Sequence, residues 1–170
     1  MFRDSKPVFV KSLSDELIPS SEQWIEFDAM EEVIFVGYPV GLYDEKNLMP
    51  ILRRGTTATS PQLDYNGSKA FLIDASVFPG SSGSPVLICN QGTYMTRKGI
   101  SIGSRYFLLG IIAKNYSTQS ISTVKPLHTP TAVEEKGVLI EEVIDLGIVY
   151  KSTTIKEAVE NAIQVRAKSK

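Results

Sequence analysis

The sequence predicts a mostly β chain, folded as an antiparallel barrel or sandwich, that ends in an α-helix. Short apolar runs, turn-forming residues between them and a helical pattern near the carboxy terminus indicate this fold. The apolar runs lie at 33–36, 70–73, 85–89, 106–113 and 138–140, with weaker candidates at 51–59 and 93–102. Many short strands at such spacing are typical of antiparallel architectures, whereas an α/β sheet alternates its strands with helices.

Turn-forming residues separate the predicted strands. Residues 65–68 read Tyr-Asn-Gly-Ser and precede the strand at 70–73, and residues 90–93 read Asn-Gln-Gly-Thr. Asn and Gly tolerate the positive φ angles of tight turns, so we expect a turn at 65–68 and a hairpin connection at 90–93. The polar, proline-containing segment 117–131 predicts a surface loop.

The carboxy-terminal segment has the pattern of an amphipathic helix. Thr154 and Glu157 have the Thr-x-x-Glu spacing of a capping box. Apolar residues then recur at helical spacing on one face: Ile155, Ala158, Val159, Ala162 and Ile163. Lys168 and Lys170 follow, where a helix carboxy terminus favours cations. The pattern predicts a helix over residues 154–167 whose apolar face packs on the core.

Length and composition indicate one globular domain. The 170 residues are 42% hydrophobic and 22% charged, which are ordinary values for a folded domain. We expect residues 1–30 to form a linker or amino-terminal extension, residues 31–150 to form the β-barrel, and residues 151–170 to form the helix.

Several classes of partner are not expected. The net charge of −1 gives no basic excess for a phosphate backbone or an anionic membrane surface, so neither nucleic acid nor membrane is predicted as a partner. No stretch approaches the roughly 18–20 consecutive apolar residues that a spanning helix needs. The first residues lack the apolar segment of a signal peptide, and a single cysteine fits a reducing compartment, so a cytoplasmic location is favoured.

Cysteine and histidine each occur once, as Cys89 and His128. One cysteine cannot form an internal disulfide, and its place in the apolar run 86–89 predicts a small buried side chain rather than a reactive thiol. One histidine and one cysteine make no recognised set of metal ligands. No motif indicates a nucleotide or an organic cofactor, so the sequence predicts neither a metal nor a cofactor.

Residues 74–86 carry the strongest functional signal in the sequence. They read Asp-Ala-Ser-Val-Phe-Pro-Gly-Ser-Ser-Gly-Ser-Pro-Val and place serine between glycines at a turn between two apolar runs. Such a turn can direct backbone N–H groups toward one point beside a hydroxyl, as in an oxyanion hole next to a nucleophile. The segment resembles the nucleophile loop of the trypsin-like (chymotrypsin-fold) serine peptidases, and most closely that of the disulfide-free HtrA/Deg type.

The resemblance implies a role for each residue of this loop. Ser82 corresponds to the attacking serine, and the backbone N–H groups of Gly80 and Ser82 correspond to the oxyanion donors. Ser81 stands where trypsin-type enzymes place an acid. Residues 32–42 resemble the strand and loop near the start of the second barrel of HtrA-like enzymes. The resemblance thus implies an antiparallel six-stranded Greek-key barrel, the carboxy-terminal one of the two that form these peptidases.

The chain lacks the histidine that should activate this serine. The family carries its catalytic His and Asp in the first barrel, before the serine, whereas His128 lies 46 residues after Ser82. A serine hydroxyl is a weak nucleophile without an adjacent base, and a lysine base at Lys69 or Lys114 would have to be desolvated. Two explanations stay open. Either Met1 is an artificial or internal start and the amino-terminal barrel lies upstream, or the chain is a homologue that has lost catalysis.

The resemblance also implies where a peptide or protein substrate would bind. The segment Ile112, Ala113 and Lys114 corresponds to the strand that pairs with the substrate backbone. Ser76 and Val77 correspond to the base of the primary pocket. Since no acidic residue stands there to attract Arg or Lys, a small or apolar substrate side chain is favoured.

The sequence therefore predicts the second barrel of a serine endopeptidase that is inactive as this chain alone. The alternative is a non-catalytic peptidase homologue that binds peptides or a partner protein. In the family the second barrel buries an apolar face against the first. A chain without the first barrel would expose that face, so a homodimer is a further candidate assembly.

Overall fold

The computed structural model describes residues 12–97, 99–124 and 136–168. Six strands form within this part of the chain: β1 (Glu32–Gly37), β2 (Ile51–Thr57), β3 (Ala70–Asp74), β4 (Pro85–Thr96), β5 (Gly99–Val124) and β6 (Lys136–Lys151). A short helix, α1 (Ser21–Trp24), precedes the strands, and a long helix, α2 (Ser152–Lys168), follows β6 directly. The predicted mostly β chain with a carboxy-terminal helix is confirmed.

The strands form a closed antiparallel barrel in the order β1-β2-β3-β6-β5-β4. β1 pairs with β2 along its whole length, starting with Glu32 opposite Thr56. The ring closes where Phe35 of β1 lies opposite Val86 of β4. Because β6 lies beside β3, the connection from β3 to β4 crosses one end of the barrel. The β1–β2 loop and the paired ends of β5 and β6, with Val124 opposite Lys136, lie at the same end.

The barrel interior is filled by side chains that alternate along the strands, as the pleat of a strand requires. The buried core comprises Trp24, Phe27, Val33, Phe35, Phe71, Ile73, Ala75, Val77, Val86, Ile88, Leu109, Ile112 and Val149. Burial of each large apolar side chain of this kind contributes about 1.5–3 kcal/mol. Cys89 on β4 is half-buried, and desolvation raises the pKa of its thiol.

Residues 20–27 close one end of the barrel. Ser20 and Gln23 form a capping box, in which the Gln23 N–H donates to the Ser20 hydroxyl at 3.4 Å, and this box starts α1. The helix brings Trp24 edge-on against Phe27, which packs against Phe107 of β5 in the same way. The ring centroids lie 5.8 and 5.4 Å apart, so the segment before β1 contributes to the core.

Two buried cations of the described residues each have a carboxylate partner. The Arg105 guanidinium on β5 lies 2.5 Å from the Glu31 carboxylate and donates to the Asn90 side chain at 2.6 Å. The Lys151 ammonium at the end of β6 lies 2.6 Å from the Asp64 carboxylate. Burial raises the pKa of Glu31, although the Arg105 charge opposes that shift. Each pair compensates a charge that is costly to bury alone.

β4 and β5 are longer than predicted, and the hairpin connection predicted at 90–93 is wrong. Residues 90–93 lie inside β4, which stays paired with β5 as far as Thr96 opposite Gly99. Gly92 has a φ of +86° and lies opposite Gly103, so its conformational freedom is used within the ladder instead of at a turn.

The two other loop predictions have different outcomes. The turn expected at 65–68 is confirmed by a short 3₁₀ turn there. The surface loop predicted at 117–131 is wrong up to its eighth residue, because β5 continues and pairs with β6 as far as Val124 opposite Lys136. Backbone pairing rather than an apolar run extends this strand. The rest of that segment, including His128, lies outside the described residues.

α2 begins earlier than predicted and is mostly exposed. Because the helix starts directly after β6, Thr154 lies inside its first turn, where the hydroxyl donates to the Lys151 carbonyl oxygen instead of capping the helix. The side chains of Val159 and Ile163 are 53% and 62% exposed. The prediction that the apolar face packs on the core is therefore wrong. Only the first turn of the helix is buried or half-buried, and the residues after it are exposed.

Candidate active site

The serine-containing segment forms a tight loop between β3 and β4. Gly80 and Gly83 adopt φ angles of +89° and +85°, in the left-handed region that residues with a Cβ rarely adopt. Within the loop, the Ser81 N–H donates to the Phe78 carbonyl oxygen at 3.0 Å, and the Ser84 N–H donates to the Ser81 carbonyl oxygen at 3.1 Å. These bonds fold the segment back on itself and leave its tip exposed.

The loop is anchored from two sides. The Gly83 N–H donates to the Ile112 carbonyl oxygen of β5 at 2.8 Å. On the other side, the Val40 N–H, in the loop after β1, donates to the Pro79 carbonyl oxygen at 2.7 Å. The position of the segment is therefore fixed by β5 and by the loop after β1, both of which are distant from it in sequence.

Glycine is required at Gly80, where this loop meets the residues that follow β1. A Cβ on Gly80 would lie 2.6 Å from the Tyr38 carbonyl oxygen, a backbone atom that cannot turn aside. A Cβ on Gly37, the last residue of β1, would lie 2.1 Å from the Ser84 hydroxyl oxygen, which would have to rotate away. The two segments thus approach each other closely.

Two backbone N–H groups of the loop, those of Gly80 and Ser82, have no acceptor among the described residues. Peptide geometry fixes their direction, because the N–H of a planar trans peptide points opposite to its C=O. The Gly80 N–H shares its peptide with the Pro79 carbonyl, which accepts from the Val40 N–H. The Ser82 N–H shares its peptide with the Ser81 carbonyl, which accepts from the Ser84 N–H. Each unpaired N–H therefore points away from the hydrogen bond that its own peptide carbonyl accepts. Exposed donors of this kind in a tight turn can bind an anion.

The Ser82 side chain is exposed, and its hydroxyl donates to the Ala113 carbonyl oxygen at 3.0 Å. The register of β5 against β6 shifts between Ile112 and Lys114, which leaves Ala113 without a partner in this ladder. A bulge can redirect a backbone group out of a ladder in this way. A carbonyl oxygen accepts a hydrogen bond but is not a general base, so the contact orients the hydroxyl without activating it.

The predicted substrate-binding residues surround the loop but differ in exposure. The side chains of Val77 and Ile112 are fully buried and belong to the barrel core. Ser76 and Ala113 are half-buried, and Lys114 is exposed. A ligand at the loop could therefore contact the last three side chains, whereas the first two support the wall behind them.

β5 has an open backbone edge next to Ser82. β4 begins at Pro85, which lies opposite Ile111, and the backbone of Ile112 bonds to the serine loop itself. Beyond that point, in the part of the chain that the structure describes, β5 pairs on its β6 side only. An extended peptide can add to such an edge through backbone hydrogen bonds.

Arg53 is a site residue that the sequence pattern did not reveal. Its guanidinium donates to the Ser76 carbonyl oxygen and lies 5.1 Å from the centroid of the Phe78 ring. Strand alternation could have indicated it, because Arg53 shares the inward-facing parity of Ile51 and Thr57. The sequence of residues 51–59 indicates a strand only weakly, and a weak strand pattern does not define which side chains face inward.

No general base faces Ser82 within the described residues. The single imidazole, His128, falls outside them. The Lys69 ammonium lies 2.5 Å from the Glu157 carboxylate of α2 in an exposed pair, and Lys114 is exposed. Neither lysine has the desolvated surroundings that a lysine base requires. No group of three or more His, Cys, Asp or Glu residues in the described ranges could hold a metal ion.

Comparison with known proteins does not identify the chain: no family model, no curated protein and no solved structure matches it. Among the described residues, no helix has the length and apolar character needed to cross a membrane. Function is therefore inferred from the geometry of the loop and its surroundings.

Proposed function

We propose that this chain is the second barrel of a trypsin-like serine endopeptidase. Ser82 attacks the carbonyl carbon of a peptide bond, and the N–H groups of Gly80 and Ser82 stabilise the oxyanion that forms. The observation that carries the proposal is the pair of unpaired N–H groups in the loop that also exposes the Ser82 hydroxyl. A peptide or protein substrate adds to the open edge of β5 at Ala113 and Lys114.

The hydrogen bonds within and around the loop support preorganised oxyanion donors. Val40 holds the Pro79 carbonyl oxygen and Ser84 holds the Ser81 carbonyl oxygen, which orients the two peptide planes before any ligand binds. Donors that are already in place need no reorganisation when charge develops on the substrate. Loss of one such donor typically lowers kcat about 100- to 1000-fold.

The strand order also supports this assignment. β4, β5 and β6 are consecutive neighbours, and β3 lies beside β6. Three hairpin-connected strands with a fourth strand returning beside the first make a Greek key. A six-stranded Greek-key barrel is what the resemblance to trypsin-like peptidases implies, and the closed ring agrees with it.

We take the general base and its orienting acid to come from an amino-terminal barrel, as the resemblance implies, because no base faces Ser82 within the described residues. The hydroxyl of Ser82 has the Ala113 carbonyl oxygen as its described partner, and this oxygen does not accept a proton in catalysis. A positioned base typically contributes 10²–10⁴-fold to such a reaction. We therefore expect this chain alone to be inactive and an amino-terminal barrel with His and Asp to be its partner.

A fluorophosphonate reagent tests the proposal, because it reacts rapidly only with an activated serine. In extracts of cells that naturally produce the protein, where any segment or chain that supplies the base is present, we expect labelling of Ser82. The isolated 170-residue chain is expected to show none over the same time. Ser82→Ala should remove the label, whereas Ser21→Ala, a matched change at an exposed serine of α1 away from the loop, should leave it.

Three results of this experiment would count against parts of the proposal. Rapid labelling of Ser82 in the isolated chain would show that the chain already contains its base. Labelling of another serine would reject Ser82 as the nucleophile. No labelling in the extract would favour a chain without catalysis.

A second candidate function is a non-catalytic module that binds a peptide or a partner protein. Exposed apolar side chains beside the serine loop favour it: Tyr38, Val40, Leu42 and Phe78 are 45–63% exposed. Clustered exposed apolar groups are typical of interaction surfaces. For this candidate we expect Ser82→Ala to leave partner binding unchanged and the extract to show no fluorophosphonate label.

A further inference from the structure

Arg53 is an inward-facing cation close to the serine loop. The inward positions of β2 are Ile51, Arg53, Gly55 and Thr57, and they alternate with the exposed Leu52 and Arg54 near the start of the strand. Arg53 lies opposite Phe35 of β1. Arginine is rarely buried unless it is paired, so its surroundings need an explanation.

The guanidinium of Arg53 lies between two aromatic rings. Its central carbon is 5.3 Å from the centroid of the Phe35 ring and 5.1 Å from that of the Phe78 ring. One of its nitrogens donates to the Ser76 carbonyl oxygen. A guanidinium has five N–H donors in a planar fork, so the remaining donors are available to a ligand.

Within the described residues, Arg53 has no carboxylate at salt-bridge distance, in contrast to the two fully buried cations. Arg105 pairs with Glu31, and Lys151 pairs with Asp64. A partly desolvated guanidinium binds a carboxylate through two parallel hydrogen bonds, which are stronger than bonds between neutral groups. The surroundings of Arg53 therefore supply aromatic contacts and, among the described residues, no counter-charge.

The two residues that contact the Arg53 guanidinium from the loop, Ser76 and Phe78, begin the segment that leads to Ser82. The Phe78 carbonyl oxygen accepts from the Ser81 N–H at 3.0 Å, so the guanidinium and the reactive serine are joined by one short, internally bonded segment. The Phe78 side chain is 45% exposed, which places this end of the segment at the solvent.

We propose that Arg53 forms the floor of the primary pocket and selects an acidic substrate side chain, Asp or Glu, on the carbonyl side of the scissile bond. This inference rests on the proposed function, in which Ser76 lies at the base of that pocket. An acidic side chain differs from the small or apolar one expected from Ser76 and Val77, because Arg53 reaches this site from β2.

Peptide binding tests this inference without requiring catalysis. Acetylated tetrapeptide amides Ala-Ala-Ala-Xaa, with Xaa as Glu, Gln, Leu or Lys, are titrated into the full chain carrying Ser82→Ala and followed by backbone amide NMR. We expect the Glu peptide to bind about tenfold more tightly than the Gln peptide, because a charge-assisted pair replaces a neutral hydrogen bond. The amide resonances of residues 76–78 should shift.

Three variants separate the charge of Arg53 from its packing. Arg53→Met keeps an unbranched apolar stem and should abolish the preference for Glu over Gln. Arg53→Lys keeps the charge but not the fork and should retain part of the preference, which keeps the test meaningful if the Met variant folds poorly. Arg54→Met removes the neighbouring exposed charge, which pairs with Glu32, and should leave the preference unchanged.

Equal affinity for the Glu and Gln peptides, a preference that survives Arg53→Met, or no peptide binding at millimolar concentration would overturn the inference. Fluorophosphonate labelling of Ser82 gives a separate readout. Labelling without a preference for Glu refutes the role of Arg53 and leaves the proposed function standing. A preference for Glu without labelling refutes the nucleophile and retains the acidic pocket.

Discussion

Gly80 is subject to two constraints that experiment can separate. Its φ of +89° is unfavourable for any residue with a Cβ, and a Cβ there would lie 2.6 Å from the Tyr38 carbonyl oxygen. Gly83 has a similar φ of +85°, but a Cβ there would meet no atom within 4 Å. The two glycines form a matched pair for substitution by alanine. At Gly83 the alanine would meet backbone strain alone, and at Gly80 it would meet the same strain and a backbone clash.

We expect Gly80→Ala to lower the free energy of unfolding more than Gly83→Ala does. Strain in the left-handed region costs each variant about 1–2 kcal/mol, and the clash with Tyr38 adds to the first. Urea denaturation followed by the fluorescence of Trp24 measures both losses. Equal losses would contradict a close contact between Gly80 and the loop after β1.

The serine loop could be predicted from the sequence, but the residue beneath it could not. Gly80, Ser82 and Gly83 are nearly contiguous, so a short motif is enough to indicate a tight turn with an exposed hydroxyl. Arg53 is distant in sequence from Ser76, and the two meet because β2 pairs with β3, which ends just before Ser76. A contact that depends on which strands pair leaves no local pattern in the sequence.

At the level of the strands, the ion pair between Arg105 and Glu31 joins β5 to the residue that precedes β1. Arg105 also bonds to Asn90 of β4 and lies 4.5 Å from the centroid of the Tyr94 ring. Both charged side chains are buried, with exposures of 8% and 12%. Removal of either partner leaves a buried charge without compensation.

We expect Arg105→Met to lower the free energy of unfolding by about 3–5 kcal/mol, because it leaves the Glu31 carboxylate buried alone. Arg54→Met breaks the exposed pair with Glu32 and provides the control, with an expected loss below about 1 kcal/mol. Urea denaturation near neutral pH compares the two variants. Similar losses would contradict the burial assigned to the Arg105 pair.

Glu31 also makes the stability depend on pH. Burial raises the pKa of its carboxyl above the ordinary value of 4.5. The folded chain therefore holds this proton at pH values where the unfolded chain has released it. The contribution of Glu31 to the free energy of unfolding is highest below pH 4.5. It falls as the pH rises through the interval between the pKa values of the unfolded and folded chain.

Glu31→Gln should remove this component of the pH dependence. We expect the stability of the wild-type chain relative to the variant to decrease as the pH rises through that interval. Urea denaturation at a series of pH values measures the difference. A relative stability that increases with pH would mean that the Arg105 charge, rather than burial, dominates the pKa of Glu31.

The elements were predictable where their patterns are local. The strands β1 and β3 coincide with apolar runs in the sequence, and α2 coincides with an apolar repeat at helical spacing. The far ends of β4 and β5 contain polar residues and continue because each strand has a paired neighbour. The orientation of α2 was not predictable, because an apolar face does not specify which surface covers it.

For the whole molecule, closure of the barrel joins parts of the chain that are far apart in sequence. β1 pairs with β4, and β3 pairs with β6. Such pairing slows folding, because long loops must close before the contacts form. We expect the main refolding phase to take milliseconds to seconds.

Stopped-flow fluorescence can measure this phase, because Trp24 is the single tryptophan and is buried in the core. Refolding within microseconds would contradict a closed barrel of non-local strand pairs. A minor slower phase would instead be matched to isomerisation at one of the nine prolines.

The exposed apolar side chains of α2 lead us to expect that the molecule self-associates. Val159 and Ile163 remain exposed, and burial of such side chains against a second copy would stabilise a dimer. We expect the mass from light scattering to increase with concentration. Ile163→Glu should suppress the increase, and Asn161→Glu, which adds the same charge to an exposed polar residue of the helix, should not. A monomer at every concentration would contradict this prediction.

β1 and β2 form a hairpin that is attached to the rest of the barrel by two short stretches of strand pairing. Within the described residues, these paired residues are Ile34–Leu87 and Phe35–Val86 between β1 and β4, and Thr56–Asp74 and Thr57–Ile73 between β2 and β3. Val40, in the loop that joins the two strands, donates its N–H to the Pro79 carbonyl oxygen. Because Val33 and Phe35 of β1 belong to the buried core, the interior packing of the barrel and the direction of an exposed donor at Gly80 are mechanically coupled.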